Sequence, residues 1–170
     1  VIIACPSNGA DAVQMLRACV ELAQTEKRVV IFLEPIALYM KKDLHEEGDQ
    51  LWSFDYLPPE QDTGMRMGEL GVTGQGTELC IITYGNGFYL SCQAKRTLEK
   101  MGIELRIIDL RWLAPLNEDG IMQHANACKS TLIVDECRKT GSISEALITL
   151  LSEKGYKGNV SRLTAGDSFI

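Results

Sequence analysis

The sequence predicts an α/β protein with a mostly parallel sheet and helices on both faces. From residue 77 onwards, β-branched apolar runs alternate with apolar stripes at helical spacing. Hydrophobic residues make up 45% of the chain and charged residues 24%, which is typical of a globular core. Because strands that alternate with helices are joined by crossover connections, the order β-α-β-α-β-α-β indicates parallel pairing.

Residues 1–39 predict a β-α-β unit of their own. The run IIAC is expected to be a strand, after which Ser7 or Asn8 caps a helix with Asp11 in its first turn. The continuous run RVVIFLEP predicts a second strand that is covered on both faces and ends at its proline. Since a single β-α-β unit cannot form a domain, we expect this segment to be the tail of a larger one.

Residues 40–76 are polar, contain glycine and proline, and lack a sustained period, which predicts a long linker. Its aromatic residues Trp52, Phe54 and Tyr56 indicate that it wraps a neighbouring surface instead of running free through solvent.

Residues 77–170 predict the main domain. The strand ELCIITY is followed by a helix that Gly102 ends, and then by the strand IELRIIDL. Asn117 is expected to cap the next helix, before the strand STLIVDE. Ser142 and Glu145 have the spacing of a capping box for the last helix, and NVSRLT predicts the final strand.

Charge and cysteine usage exclude several classes of function. The net charge is −6 without a basic, aromatic-rich cluster, so nucleic acid is not an expected partner, and the chain has no apolar run of membrane-spanning length. The six cysteines form no CxxC pair, which predicts free thiols in a reducing compartment, not a zinc site. His124 is expected to be structural or solvated. His45 suggests either a pH switch or, as we favour, a solvated charge cluster.

Gly85-Asn86-Gly87 follows a predicted strand directly and opens a predicted helix, as in a phosphate-binding turn. Only the first half of the dinucleotide fingerprint is present, because Leu90 stands where the third glycine belongs. A tight strand-to-helix turn is therefore the favoured interpretation. Asp109, Asp135 and Glu136 also end strands, at the edge where open α/β sheets bind ligands and where a sheet meets water.

Four stretches, taken in order, resemble the thiamine-diphosphate-dependent 2-oxoacid dehydrogenases, specifically the beta subunit or beta-like half of their decarboxylating component. PSNGADAVQMLRACVELAQ with VVIFLEPIALY is similar to the end of that family's pyrimidine-binding domain. GTELCIITYGNGFYLSCQA, IELRIIDLRWLAPLN and LIVDECRKTGSISEALITLL resemble its transketolase C-terminal domain, and RLTAGDSFI resembles the closing strand and turn.

The resemblance implies oxidative decarboxylation of a 2-oxoacid and acyl transfer to a lipoyl arm by a larger enzyme. Thiamine diphosphate and Mg are the expected cofactors of that full enzyme. None is expected on this chain, because the family's activating glutamate and Mg-diphosphate motif are not among its residues. The implied partners are an alpha subunit or alpha-like half, in a homodimer or heterotetramer, and a lipoyl acyltransferase core. The implied location is the cytoplasm in a bacterium and the mitochondrial matrix in a eukaryote.

No catalytic residue is expected in this chain. The resemblance implies a monovalent cation held partly by the backbone carbonyl of Cys19, although ELAQTEKR is longer than in many relatives and lacks their aspartate. Thr140-Gly141-Ser142 departs from the family's TGG. The residues implied to organise strand-end loops or subunit interfaces are Glu34, Tyr39, Arg111, Glu136 and Thr140.

Two alternatives remain at this point. A transketolase or deoxyxylulose-phosphate-synthase relative would share the fold, but FLEPIALY and DLRWLAPL favour the dehydrogenases. A free-standing nucleotide-binding module would use Gly85 and Gly87, and the missing third glycine argues against it.

Overall fold

The computed structural model describes residues 1–62 and 64–167, so the last residues of the expected closing turn lie outside the described part of the chain. Short 3-10 turns occur at Ile36–Leu38 and Pro59–Gln61. The strands and helices, in chain order, are β1 Ile2–Ala4, α1 Gly9–Thr25, β2 Val30–Phe32, β3 Gly71–Thr73, β4 Leu79–Thr83, α2 Gly85–Lys100, β5 Leu105–Asp109, β6 Trp112–Ala114, α3 Glu118–Asn126, β7 Ser130–Arg138, α4 Ile143–Glu153 and β8 Asn159–Ala165.

The main sheet has five strands in the order β3-β5-β4-β7-β8. All neighbours are parallel except β3, which runs antiparallel to β5. Successive residues of the central strands point to opposite faces, so Ile81 packs with Phe88 of α2 while Ile82 packs with Ile121 of α3 and Leu147 of α4. The predicted mostly parallel sheet with helices on both faces is confirmed.

A second, smaller sheet has the order β2-β1-β6. Its parallel β1–β2 pair with α1 between them is the predicted β-α-β unit. The third strand, β6, lies in the stretch DLRWLAPL and pairs antiparallel with β1. Trp112 of β6 is buried beside Ile2 and Met15. A strand from the main domain therefore completes the core of segment 1–39.

The strand β2 is more open than the sequence predicts. Its run was expected to be covered on both faces, yet Val29, Ile31 and Leu33 are 64%, 45% and 41% exposed. The reason is topological, because β2 is an edge strand of the small sheet and α1 covers only one side of it. An apolar strip is therefore left on the surface of this half.

The segment 40–76 wraps the molecule, as its aromatic residues predict. Trp52 is buried with its ring centroid 5.1 Å from that of Tyr89 and 5.8 Å from that of Phe88. The end of the segment is a strand, β3, which the sequence did not suggest because three residues give no visible alternation. The expected boundaries at residues 40 and 76 stay a prediction, although β3 pairs with the main sheet.

The helix ends follow their local signals in three of four cases. The side chains of Asn8 and Asn117 cap α1 and α3, and Gly102 has φ +80° after α2. At α4 the capping box does not form as predicted, because Glu145 accepts from the backbone of Gly141 and the Ser142 hydroxyl makes no cap bond. In the described residues, none of the helices combines the length and apolar character that a membrane crossing requires.

Candidate functional site

The carboxyl ends of β4 and β7 meet at the topological switch point of the main sheet, where open α/β sheets bind ligands. The chain leaves β4 towards β5 on one side and later places β7 on the other side. Here the N-terminal segment, residues 1–39, packs over this point. A Cβ at position 85, just after β4, would lie 3.3 Å from both Cys5 Sγ and Pro35 Cγ.

The turn at Gly85 needs a glycine for two reasons. Its φ of +54° lies in the left-handed region, and a Cβ there would also lie 3.2 Å from Oε1 of Glu136. The backbone N–H of Gly85 donates to Ser7 Oγ over 2.8 Å. Ser7 Oγ in turn donates to Asp109 Oδ1 over 2.8 Å, so one buried hydroxyl connects the two halves.

The start of α2 faces a carboxylate of the same chain. Burial raises the pKa of Glu136, while the backbone and side-chain amides of Asn86 oppose that rise by stabilising the charged form. A negative charge at a helix N-terminus is favourable because it faces unpaired N–H groups. With Ser7 on Gly85 and Glu136 near Asn86, this turn serves contacts within the chain, which weakens the phosphate-binding alternative.

Asp109 is buried at the end of β5 and so does not resemble the accessible ribose-binding acid of a dinucleotide fold. Besides Ser7, its Oδ1 accepts from the backbone N–H of Arg111 over 3.3 Å. Its Oδ2 has no hydrogen-bond partner among the described residues. Burial raises the pKa of Asp109 to about 7, because the charged form is poorly solvated there.

Arg111 joins the end of β5 to α1. Its backbone has φ +57°, and its Nε and Nη2 donate to the two carboxylate oxygens of Asp11 over 2.9 Å each. This forked geometry is the strong form of an arginine–carboxylate pair. The expected loop-organising role of Arg111 agrees with this contact within the chain, and its expected role between subunits stays a prediction.

Asp135 organises the end of β7, and sequence reasoning placed it only at a strand end. Its carboxylate accepts from the Tyr84 hydroxyl over 2.8 Å and from the backbone of Cys137 and Ser144 over 3.0 Å. Burial opposes its ionisation, but these hydrogen bonds outweigh burial and lower its pKa. Asp135 thus caps α4 from another element, for which the sequence carries no local signal.

Thr140 holds the loop between β7 and α4. Its backbone N–H and its hydroxyl donate to the two carboxylate oxygens of Asp167, over 3.0 Å and 2.7 Å. Asp167 follows β8, so the pair ties this loop to the segment after the last strand. The contact suits the expected loop-organising role of Thr140.

Glu34 and Tyr39 lie at the surface beyond β2, where the Tyr39 hydroxyl donates to a Glu34 oxygen over 2.8 Å. Both line a groove of about 360 Å³ whose far wall includes Trp52 and Phe54. Glu34 also lines a separate cleft with Glu136. Of the residues implied by the resemblance, the structure brings these two glutamates together, and their interface role stays a prediction.

The remaining candidates are less favourably placed for a ligand. Cys19 is buried in α1, which continues for six residues beyond it, so its carbonyl is expected to accept the bond of the next helical turn. Its cation role stays a prediction. No group of three His, Cys, Asp or Glu residues in the described ranges could hold a metal ion. Burial and the nearby Arg106 lower the pKa of His124. The backbone N–H of His45 donates to the Asp49 carboxylate.

Two comparisons with known proteins agree on one family. The model of the transketolase C-terminal domain matches residues 68–170. The chain is 28% identical to pyruvate dehydrogenase E1 component subunit beta of Bacillus subtilis (strain 168), over 96% of this chain and 46% of that one. It is 30% identical to 2-oxoisovalerate dehydrogenase subunit beta of the same organism, over 89% of this chain and 41% of that one.

The fold is also known from a solved structure. "Split gene transketolase, inactive beta4 tetramer" has a TM-score of 0.73 at 20% identity, over 99% of this chain and 49% of that one. At this identity the likeness shows the fold alone. It includes both halves and the segment between them. The chain spans about half the length of the curated relatives that it matches.

Proposed function

Because the chain belongs to the transketolase C-terminal domain family, we propose that it is the assembly part of a 2-oxoacid dehydrogenase component of beta type. The observation that carries the proposal is that the residues at the strand ends make hydrogen bonds within the chain. Ser7 bonds Asp109, and Arg111 bonds Asp11, so both contacts join segment 1–39 to the main domain. Asp135 and Thr140 make their hydrogen bonds within the main domain. Groups so engaged hold neighbouring elements of the chain in place.

The chemistry of the full enzyme is proposed to come from thiamine diphosphate with Mg, bound outside this chain. The sequence lacks the family's Mg-diphosphate motif, which supports placing the Mg site outside this chain. The helix start that could face a diphosphate, at Gly85 and Asn86, instead faces Ser7 and Glu136. We therefore expect the isolated chain to be inactive.

The proposed partners are an alpha-type chain, a second beta-type chain and a lipoyl acyltransferase core. The surface that supports assembly is the apolar strip around β2, which continues to two very exposed side chains, Ile36 and Met40. Exposed apolar area of this kind is typical of surfaces that another chain covers. The six unpaired cysteines, five of them buried, suit a reducing compartment.

The alternatives have less support. A transketolase relative is suggested by the solved structure, but its 20% identity carries the fold and not the reaction, whereas both curated relatives named above are dehydrogenase beta subunits. A nucleotide-binding module would need the α2 start that Ser7 and Glu136 already face.

Reconstitution tests the proposal. The chain alone, with thiamine diphosphate, Mg and either pyruvate or a branched 2-oxoacid, is expected to release no carbon dioxide. Mixed with an alpha-type chain or a peripheral subunit-binding domain, it is expected to form a complex by light scattering. Ile36→Asp with Met40→Asp should abolish that complex, and Leu163→Asp, an exposed apolar position on β8, should not.

Two results would contradict the proposal. Turnover of a 2-oxoacid by the isolated chain would place catalytic groups in it after all. Micromolar binding of NAD or ATP, measured by calorimetric titration, would support the nucleotide-binding module instead.

A further inference from the structure

An open cleft of about 410 Å³ lies beside the switch point of the main sheet, within the ~300–1,000 Å³ typical of binding sites. Both halves of the chain build it, since β1, the turn after β2 and β6 provide one side while β7 and the start of α4 provide the other. Its walls are mostly apolar. They are formed by Ile3, Leu33, Pro35, Leu113 and Ile143.

Two carboxylates, Glu34 and Glu136, share this cleft. Among the described residues that line it there is no lysine, arginine or histidine. The basic side chain that follows on β7, Arg138, turns its Nε to the carbonyl of Thr140. An apolar cleft with two acids and no cation in its lining is complementary to a cation that carries an apolar stem.

Each acid has contacts within the chain that limit its orientation. The Tyr39 hydroxyl holds one oxygen of Glu34, and Glu136 lies against Gly85 with Asn86 nearby. Two positioned carboxylates suit the planar guanidinium group, which has five N–H donors in a rigid fork, better than the compact ammonium of lysine.

The surroundings favour a polypeptide over a free small molecule. The rim of the cleft at Leu33 continues along the chain to Ile36 and Met40, which are among the most exposed apolar side chains. A small cation would leave this surface uncovered, whereas a protein interface combines a few anchoring side chains with an apolar surround.

We propose that this cleft binds an arginine side chain of a partner polypeptide, with the guanidinium between Glu34 and Glu136 and the arginine stem on the apolar walls. The partner presents that arginine next to apolar residues, which cover the rim. The inference rests on the cleft alone, so it stands whether or not the partner belongs to a 2-oxoacid dehydrogenase.

The test is a chemical-shift titration of the isotope-labelled 170-residue chain with blocked tripeptides. Acetyl-Leu-Arg-Leu-amide is the probe, and acetyl-Leu-Gln-Leu-amide and acetylarginine amide are the comparisons. The arginine peptide is expected to shift the backbone amides of Glu34, Glu136 and Cys137 in a saturable way. The glutamine peptide is expected to bind about tenfold more weakly or not at all.

Variants locate the effect. Glu34→Gln and Glu136→Gln should each weaken the arginine peptide about threefold or more, while the exposed Glu60→Gln, outside the cleft, should leave it unchanged. Should Glu136→Gln fail to fold, Glu34→Gln decides alone, because a glutamine there can still accept from Tyr39. Absence of cleft shifts at ~10 mM peptide overturns the proposal. Equal binding of the glutamine peptide, or of acetylarginine amide, overturns it as well.

Discussion

At the scale of single residues, Asp109 makes stability depend on pH. Its pKa in the folded chain is about 7, above the ordinary value of 3.8 that applies after unfolding. Below about pH 4 both states are protonated and the residue carries no penalty. Between about pH 4 and pH 7, unfolding releases a proton, so the free energy of unfolding falls as the pH rises and levels off above about pH 7.

Asp109→Asn should remove this dependence, because asparagine copies the size and neutrality of the protonated acid and can still accept from Ser7. The variant is expected to gain on the parent chain between pH 4 and pH 8, by up to ~4 kcal/mol, in urea unfolding followed by circular dichroism. The exposed Asp55→Asn is the control. A parallel pH profile for parent and Asp109→Asn would mean that Asp109 is ionised throughout.

Arg111 is the second residue with a large expected effect. Arg111→Ala leaves the buried Asp11 carboxylate without its forked partner, so the free energy of unfolding should fall by about 2–4 kcal/mol. Arg96→Ala, which breaks an exposed pair with Glu46, should change it by less than ~1 kcal/mol. Adding Asp11→Ala to Arg111→Ala should recover part of the loss, and strictly additive effects in this double-mutant cycle would contradict the pairing.

At the scale of elements, α4 is capped from β7 and not from its own first turn. Asp135→Ala should lower stability by about 2 kcal/mol, because Ser144 N–H and the Tyr84 hydroxyl both lose their acceptor. Ser142→Ala should cost less, about 1 kcal/mol, since that hydroxyl makes no cap bond and shares a hydrogen bond with the Ser144 hydroxyl. Hydrogen exchange at the Ser144 amide distinguishes the two variants. Faster exchange in Ser142→Ala than in Asp135→Ala would instead support Ser142 as the cap of α4, as the sequence predicts.

Local signals were predictable from the sequence, and contacts between distant residues were not. Asn117 and Gly102 act on the residues next to them, so their roles were visible in the sequence. The strands β3 and β6 have three residues each and exist because distant strands pair with them. The Ser7–Asp109 bond joins residues 102 positions apart, and no local pattern encodes such a distance. The apolar periodicity predicted the overall order of elements but not these contacts.

At the scale of the whole molecule, the two halves should unfold as one unit. Ser7 lies in the N-terminal half and is bonded to both Gly85 and Asp109 of the main domain. Ser7→Ala leaves both groups buried and without that partner, which should lower the free energy of unfolding by about 2–3 kcal/mol. In native-state hydrogen exchange, β1 and β4 should lose protection by the same amount. Loss confined to β1 would indicate halves that open independently.

The strand β6 also has a consequence for how this molecule can be divided. Spatial neighbours are interleaved along the chain, since the small sheet takes two strands from the first 39 residues and the third from Trp112–Ala114. A cut anywhere between residues 40 and 111 therefore separates β1 from the strand that completes its sheet. Excising the first segment, or transplanting the second onto another scaffold, would expose a raw backbone edge in each piece. We therefore expect the two segments to be moved into another protein only together.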